Sequence, residues 1–384
     1  MKAFKGNIVT EHEIVDGYMI VDGGRIVSVT KEKPACELVD CGESYLVPGF
    51  IDMHIHGIHE YLVDDGPEAY KNVCKTLPQH GVTGFLPTVS PQPAGKDTAY
   101  LASLAATRTE GAEVLGFHLE GPFLTLTGAF NSDAITGADE KRARSLIEAA
   151  KPFKAIFSIA PDLKGVEEWI PIMAADNTPV FITHTAANVE QTQRAIAAGA
   201  CHATHFYDVF PCPPVTEPGV RPCGAVEAIL ADPDVSVDFI LDGVHVDPIA
   251  AKMVLVCKPD KVCLITDANV GAGLEPGTFT FGNNGAIYFE YKGAPARGVE
   301  KNNLCGSGLT LDQALRNAIK FLGVSIVEAS HMLSRNPANV VRVGDRKGLL
   351  AEGYDADFVI LDKDSLEVQQ TWIAGKEFYN INKQ

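Results

Sequence analysis

Apolar, strand-like runs alternate with amphipathic, helix-like runs along most of this 384-residue chain. Helix-like runs cover residues 66–80, 141–150, 188–198 and 248–256. Eight strand-like runs end at chemically distinctive positions, namely His54 and His56, 85–88, Glu120, 158–161, His184, His205, 242–245 and Asp267. Eight successive strand–helix units predict an α/β fold, a TIM (β/α)8 barrel, in which chemistry gathers at the carboxyl ends of the strands.

Two further patterns complete the predicted barrel. Residues 277–300 are expected to form an inserted β-hairpin region after the eighth strand. Helices near residues 311–321 and 326–332 are expected to close the barrel.

The two ends of the chain share a pattern of short alternating strands. Near the start, residues 17–21 and 25–29 flank Asp22-Gly23-Gly24, which is a hairpin signal. Residues 356–361 and 368–375 repeat that texture. Two separate terminal hairpins would be marginally stable by themselves. We therefore predict one small β-sandwich domain from residues 1–48 and 343–384, around a barrel of residues 49–342.

Composition narrows the expected partners and compartment. The formal net charge is −17, from 49 acidic and 32 basic residues, and no basic stripe offsets it, so nucleic acid is not an expected partner. No apolar run approaches the roughly 20 residues of a membrane span, and no signal-peptide pattern opens the chain. Nine cysteines without a C-x-x-C pair fit free thiols. A cytoplasmic protein without a membrane partner is expected.

Histidines and a glutamate at the strand ends predict a metal site. His54 and His56 are two residues apart on a strand, so they share a face, although two hydrogen-bonded core histidines would fit that spacing equally well. Glu120 follows a buried run, where a carboxylate needs a cation. With His184 and His205, Glu120 makes the three-ligand set of an open catalytic metal site.

Asp267 ends the eighth strand and is the candidate proton carrier. A carboxylate beside an activated water can take its proton and return it to a leaving amine. The alternative role is a helix N-cap before Ala268. Asp52 is interpreted as a hydrogen-bonding support, His118 as a hydrogen-bond partner behind the ligands, and His202 as structural. Three other histidines receive no role: His12, His80 and His331.

The order of these motifs resembles the N-acetylglucosamine-6-phosphate deacetylases of the amidohydrolase superfamily. The resemblance runs from the first strand to Gly375. The matching stretches are PGFID at 48–52, HLEGPF at 118–123, THT at 183–185, ATH at 203–205, DGVHV at 242–246, TDA at 266–268 and GSGLT at 306–310.

The resemblance implies a metal-dependent enzyme that hydrolyses the N-acetyl amide of an amino sugar, N-acetylglucosamine-6-phosphate or a related N-acyl compound, to the amine and acetate. It implies that Glu120, His184 and His205 bind the principal ion, that His54 and His56 bind a second ion bridged by Glu120, and that Asp267 acts as general base and then acid. Zinc or iron is expected, one or two ions per subunit, in a homodimer whose neighbouring subunit completes the pocket. The implied substrate-binding residues are His245, Asp208, Val209, Phe130, Thr216 and Arg221.

Three positions depart from the pattern of that family. Phe130 stands where a histidine usually engages the acetyl carbonyl, Asp208 where an asparagine is usual, and Thr216 where an arginine usually grips phosphate. Losing a guanidinium and gaining a carboxylate weakens anion binding. We therefore hypothesise intact metal chemistry with a diverged substrate pocket, in which Arg221 replaces the missing cation and His59 the missing histidine.

Two other interpretations remain open at this point. A hydantoinase- or dihydroorotase-like enzyme, or an N-acyl amino acid hydrolase, would share the barrel and the His-x-His pair. Hydantoinase-like enzymes use a strand-four lysine as metal bridge, whereas this strand ends in Ser158-Ile159-Ala160-Pro161. A non-catalytic binding protein on the same barrel is the contrasting class. In such a protein the metal ligands and Asp267 would be expected to change as readily as the pocket residues, whereas here the candidate ligands and Asp267 are all present.

Overall fold

The computed structural model describes residues 1–383, the side chain of Ala134 excepted, and its centre is a barrel of parallel strands. Each strand pairs with the next along the chain. The ring closes where Ile55 bridges Ala268 and the Asp267 amide donates to the His54 carbonyl at 2.9 Å. The predicted TIM barrel is confirmed. Its eight strands are Phe50–Ile55, Val82–Val89, Phe117–Glu120, Ala155–Ile159, Val180–Ile182, Ala200–Ala203, Ser236–Ile240 and Val262–Ile265.

Helices surround the barrel, and the four predicted connectors are confirmed. Helices 97–105, 166–173 and 225–231 were not predicted from the pattern; Pro171, inside the second, is ordinarily a helix breaker. The α-helices are Pro67–Thr76, Asp97–Ala105, Glu140–Ala150, Val166–Met173, Val189–Ala198, Ala225–Ala231, Pro248–Cys257, Leu311–Asn317, Ile326–Ser330 and Asn336–Val340. Shorter 3-10 and π-helical segments are Val63–Asp65, Leu77–His80, Ser132–Ile135, Ala175–Asn177, Gly282–Asn284, Ala318–Leu322, His331–Arg335 and Ile381–Lys383.

Both ends of the chain build one β domain, as expected. Phe358–Leu361 pairs antiparallel with the end of Glu37–Pro48, which joins the two termini in a single hydrogen-bonded sheet of seven strands. That sheet packs on a core of its own, with Phe4, Phe358 and Trp372 in contact. Its other strands are Lys2–Val9, Ile14–Asp22, Arg25–Thr30, Val368–Ile373 and Lys376–Asn380. The exact domain boundaries stay a prediction.

The insertion after the eighth barrel strand is larger than the predicted hairpin region. It forms a four-stranded antiparallel sheet of Thr278–Thr280, Ala286–Tyr288, Pro295–Gly298 and Leu304–Ser307. The last strand returns to the barrel, where the Asn269 amide donates to the Ser307 carbonyl at 2.9 Å. A small hairpin, Gly57–Ile58 with Tyr61–Leu62, lies after the first barrel strand. Within residues 1–383, no helix has the length and apolar character needed to cross a membrane.

Candidate active site and metal centre

Glu120 lies at the centre of four histidines, two on each carboxylate oxygen. Its Oε1 lies 3.1 Å from His184 Nε2 and 3.0 Å from His205 Nε2. Its Oε2 lies 3.1 Å from His54 Nε2 and 3.0 Å from His56 Nε2. We call these five side chains the ligand set. All five are at most 4% exposed, so the residues predicted as ligands converge in the interior of the barrel mouth.

The backbone at three of these strand ends is unusual. His184, His205 and Asp267 have φ of 45°, 34° and 45°, a left-handed conformation that non-glycine residues rarely adopt. Each comes two residues after its strand ends. Such conformations cost free energy and persist where the surroundings impose them, which is typical of functional sites.

The second ring nitrogen of each histidine also has a partner. His54 Nδ1 contacts Thr204 Oγ1 at 3.1 Å, and His56 Nδ1 contacts Ser90 Oγ at 3.4 Å. His184 Nδ1 donates to the Leu126 carbonyl at 2.9 Å, and His205 Nδ1 lies 3.3 Å from the Asp208 carbonyl. Partners at Nδ1 fix the ring orientation and leave Nε2 to face the centre, as in histidines that bind metals.

A buried carboxylate that sequence reasoning missed supports the ligand set from below. Asp238 accepts from the His205 amide at 2.6 Å and from Thr204 Oγ1 at 3.1 Å, and it contacts His202 Nε2 at 2.8 Å. His202 in turn contacts Ser236 Oγ at 2.7 Å. Asp238 and His202 are fully buried, so the structural role predicted for His202 extends to the ligand set. The signal in the sequence was the polar alternation of Ser236 and Asp238 within an otherwise apolar strand.

Asp267 reaches the His54 and His56 side of the ligand set. Its Oδ1 lies 3.4 Å from the Nε2 atom of each histidine. The preceding residue, Thr266, is held in place because Asp52 accepts from Thr266 Oγ1 at 2.7 Å and Ser307 Oγ donates to the Thr266 carbonyl at 2.5 Å. Asp52 therefore has the supporting position predicted for it.

Electrostatics favour positive charge at this point. Burial raises the pKa of Glu120, but the charges and hydrogen bonds of the neighbouring histidines outweigh burial and hold the pKa well below its usual range. Burial likewise raises the pKa of Asp267, and His54 and His56 more than offset that effect. Burial lowers the pKa of His56, yet Asp267 and Glu120 raise it to about 10. The neighbouring histidines thus favour the ionised form of both carboxylates, although both are buried.

The donor atoms fit a divalent ion. His54, His56 and Glu120 form one group of ligand atoms within 4.8 Å of one another, and Glu120, His184 and His205 form another. Imidazole and carboxylate donors suit zinc, iron and related ions. A carboxylate shared by two histidine pairs is the arrangement expected of a bridging ligand, so the set has the donors for one or two ions.

The cavity above the ligand set is lined by apolar and acidic residues. Phe130 stacks over His184, with ring centroids 6.0 Å apart, and Asp208 and Val209 lie beside it. Phe281, Leu304, Cys305 and Gly306 come from the insertion, whose contribution the sequence pattern did not reveal. Among the described residues that line this cavity, none is a lysine or arginine.

The other predicted substrate-binding residues are not among those that line this cavity. His245 is buried behind Asp242, which its Nδ1 contacts at 2.7 Å, and its Nε2 has no partner among the described residues. Thr216 is exposed on a loop, and Arg221 is exposed and pairs with Glu227 at 2.8 Å. Substrate contact by these three residues stays a prediction. His59 was expected in the pocket, but its ring lies against His80.

Comparison with known proteins agrees with this geometry. The Amidohydrolase family model matches residues 45–378. The N-acetylglucosamine-6-phosphate deacetylase of Bacillus subtilis (strain 168) is 31% identical over 372 residues, which cover 93% of this chain and 92% of that protein. The N-acetylgalactosamine-6-phosphate deacetylase of Escherichia coli O157:H7 is 30% identical over 375 residues, covering 96% and 97%.

Solved structures show the same architecture over nearly the whole chain. The N-acetylglucosamine-6-phosphate deacetylase of Thermotoga maritima has a TM-score of 0.82 at 28% identity and covers 98% of this chain and 99% of that one. A mutant of the Mycobacterium smegmatis deacetylase, in complex with N-acetyl-D-glucosamine-6-phosphate, has a TM-score of 0.88 at 25% identity and covers 99% of each. The chain belongs to the amidohydrolase family, in the group of the N-acetylglucosamine-6-phosphate deacetylases.

Proposed function

We propose that this chain is a metal-dependent deacetylase that hydrolyses the N-acetyl amide of a hexosamine, releasing acetate and the free amine. The observation that carries the proposal is Glu120, whose two oxygens each face a histidine pair while Asp267 lies 3.4 Å from one of those pairs. Relatives that act on N-acetylglucosamine-6-phosphate and N-acetylgalactosamine-6-phosphate supply the substrate class.

The residues divide the work of amide hydrolysis among them. Glu120 and the four histidines would hold the ion, zinc or iron, at one or two per subunit. When bound, such an ion supplies the positive charge that polarises an amide carbonyl and makes water nucleophilic near neutral pH. Asp267 takes a proton from the attacking water, whose oxygen bonds to the carbonyl carbon. Asp267 then returns the proton to the nitrogen as the carbon–nitrogen bond breaks.

We further propose that substrate binding depends little on phosphate. The cavity presents the Asp208 carboxylate and, within the described residues, neither lysine nor arginine. Within one subunit, a phosphate there would lack the charge-assisted hydrogen bonds that normally bind it. Phe130 and Phe281 instead offer an apolar wall to the acetyl methyl group and the sugar ring. His245 and Val209 would complete the contacts with the sugar.

The test is a comparison of kcat/KM across four substrates. They are N-acetylglucosamine-6-phosphate, N-acetylgalactosamine-6-phosphate, N-acetylglucosamine and an N-acetyl amino acid, each with the zinc-loaded enzyme. We expect both sugar types to be deacetylated, with kcat/KM values for phosphorylated and free sugar within about tenfold. A strong preference for a phosphorylated sugar would refute only the proposal that binding depends little on phosphate, and the deacetylase proposal would stand. Hydrolysis of the amino acid derivative only would refute the sugar specificity.

A homodimer is the assembly we propose, on the basis of an exposed apolar stripe. Ile249, Met253 and Val256 are 65%, 59% and 84% exposed on helix Pro248–Cys257. Spaced by four and three residues, they share one face of the helix. Exposed Val215 and Val220 lie on the loop after the sixth strand. Several large apolar side chains exposed on one helix face are typical of protein interfaces.

Light scattering after size exclusion tests the dimer with Met253→Lys. A charge in the middle of the stripe is expected to give monomers at concentrations where the parent chain is dimeric. Val27→Lys, on the exposed surface of the terminal sheet, is the matched control and should leave the mass unchanged. A parent chain that is monomeric throughout would refute the dimer. A cytoplasmic location stays a prediction.

A further inference from the structure

A second histidine pair lies outside the ligand set. His59 Nε2 and His80 Nε2 are 3.2 Å apart, with the two rings nearly perpendicular. His59 lies in the small hairpin after the first barrel strand, and His80 ends the helical turn Leu77–His80. Both are partly buried. The sequence pattern placed His80 in a surface segment without a role, yet its ring is held between two other chain segments.

Asp312 orients His80 toward His59. His80 Nδ1 lies 3.3 Å from Asp312 Oδ1, and Asp312 also pairs with Arg316 at 2.8 Å. With the Nδ1 proton directed to this carboxylate, the Nε2 lone pair faces His59. A carboxylate behind one nitrogen of a histidine is the usual support for metal binding by the other nitrogen.

Gly273 keeps the space in front of both nitrogens open. Its φ is 80°, and a Cβ at this position would lie 3.0 Å from His80 Nε2 and 3.1 Å from His59 Nε2. Any other residue would therefore place a carbon nearly equidistant from the two nitrogens. The glycine leaves that point free for a small occupant.

We propose that His59 and His80 bind a divalent ion of the zinc class, separate from the ions of the ligand set. Two imidazole nitrogens that bind zinc tetrahedrally at ~2.0–2.1 Å lie roughly 3.3–3.4 Å from each other. The 3.2 Å between His59 and His80 is close to that value, and so is the 3.3 Å between His54 and His56. Water would occupy the remaining positions. Without the ion the same geometry is an imidazole–imidazole hydrogen bond, so the fold does not require the ion.

The site would stabilise the segment that follows Asp267. The His59 amide donates to the Ala272 carbonyl at 2.9 Å, and the His59 carbonyl accepts from the Gly271 amide at 2.6 Å. An ion shared with His80 would tie this segment to the helical turn Leu77–His80, whose His80 contacts Asp312. We therefore expect a rise in Tm on zinc binding at this site, in addition to any rise caused by the ligand set.

Zinc stoichiometry tests the proposal on the full-length chain. Bound zinc is counted by mass spectrometry of the metal across buffered free-zinc concentrations. The parent chain is expected to bind one ion more than His59→Gln or His80→Gln. Asp312→Asn should keep that ion with affinity reduced about 10–100-fold. His12→Gln removes a histidine whose side chain is 84% exposed and should behave like the parent chain.

Equal zinc content and affinity in the parent chain, His59→Gln and His80→Gln would overturn the proposal. If either variant fails to fold, the parent chain gives the answer through chemical modification of its histidines, mapped by peptide mass spectrometry. Saturating zinc should protect His59 and His80 and leave His12 reactive. Unchanged modification rates at His59 and His80 would also overturn the proposal. Neither readout depends on deacetylase activity, so this result is independent of the proposed function.

Discussion

The ligand set and the loop at residues 211–222 lie on the same end of the barrel but are built differently. The ligand set is at most 4% exposed, and each histidine in it has a second hydrogen-bond partner. The loop, which carries Thr216 and Arg221, is almost entirely exposed. Rigid strand ends fix the reacting groups, whereas an exposed loop can change without disturbing them. The departures from the family pattern fall on this loop and at Phe130 and Asp208, outside the ligand set.

Asp267→Asn is expected to have the largest effect of the four substitutions that follow. Asparagine cannot carry the proton, so kcat should fall about 10²–10⁴-fold. Zinc content should stay the same, because Glu120 and the four histidines are untouched. Steady-state kinetics and metal analysis of the same preparation measure both quantities. A variant that keeps more than a tenth of the parental turnover would remove Asp267 from the mechanism.

Asp238→Asn tests whether the rigidity of the ligand set comes from the layer behind it. An amide nitrogen cannot accept the hydrogen bonds that one carboxylate oxygen accepts now. We expect metal affinity or activity to fall about 10–100-fold, measured by competition with a chelator. Asp234→Asn, at an exposed position just before the same strand, is the control and should have no effect. Equal metal affinity and activity in both variants would show that the ligand set holds its geometry without this layer.

Phe130→His changes the cavity wall, where the Phe130 ring stacks over His184, and leaves all five residues of the ligand set unsubstituted. A histidine here could donate to the acetyl carbonyl, and one such hydrogen bond corresponds to about a 3–10-fold rise in kcat/KM on N-acetylhexosamines. Phe281→Leu serves as the control, because it alters the apolar wall without adding a donor. A fall in kcat/KM for Phe130→His would mean that the phenyl ring itself contributes to substrate binding.

Arg221→Gln is expected to have the smallest effect. Its ion pair with Glu227 is exposed, and such pairs contribute little. We expect kcat/KM on free and phosphorylated sugars to change less than about twofold. A loss of kcat/KM confined to phosphorylated sugars would assign phosphate binding to Arg221. The exposed loop would then contribute to the reaction as well as the ligand set.

The parts that sequence reasoning predicted are those encoded locally. Each barrel strand is a short apolar run, and each ligand follows its own run, so Glu120, His184 and His205 could be placed without knowing the fold. The contacts that were missed join distant segments. Asp238 supports a histidine 33 residues away.

The insertion is a second case in which contacts between distant segments could not be predicted from the sequence. Leu304–Ser307 has only four residues, two of them with small side chains, and shows no local periodicity. It forms a strand because it pairs with Pro295–Gly298. His59 and His80 are 21 residues apart, and their contact depends on the left-handed backbone of Gly273. The spacing of residues along the chain does not predict such long-range contacts.

Gly128 allows the segment that carries Phe130 to pack closely against His184 of the ligand set. Its φ is 57°, and a Cβ there would lie 2.5 Å from His184 Cε1. The segment that presents Phe130 is therefore pressed against the ring of a ligand, with no room for a larger residue at 128. A redesign of the cavity for new acyl groups can therefore start at position 130, but it must keep glycine at position 128, because a methyl group there would displace the His184 ring from the ligand set.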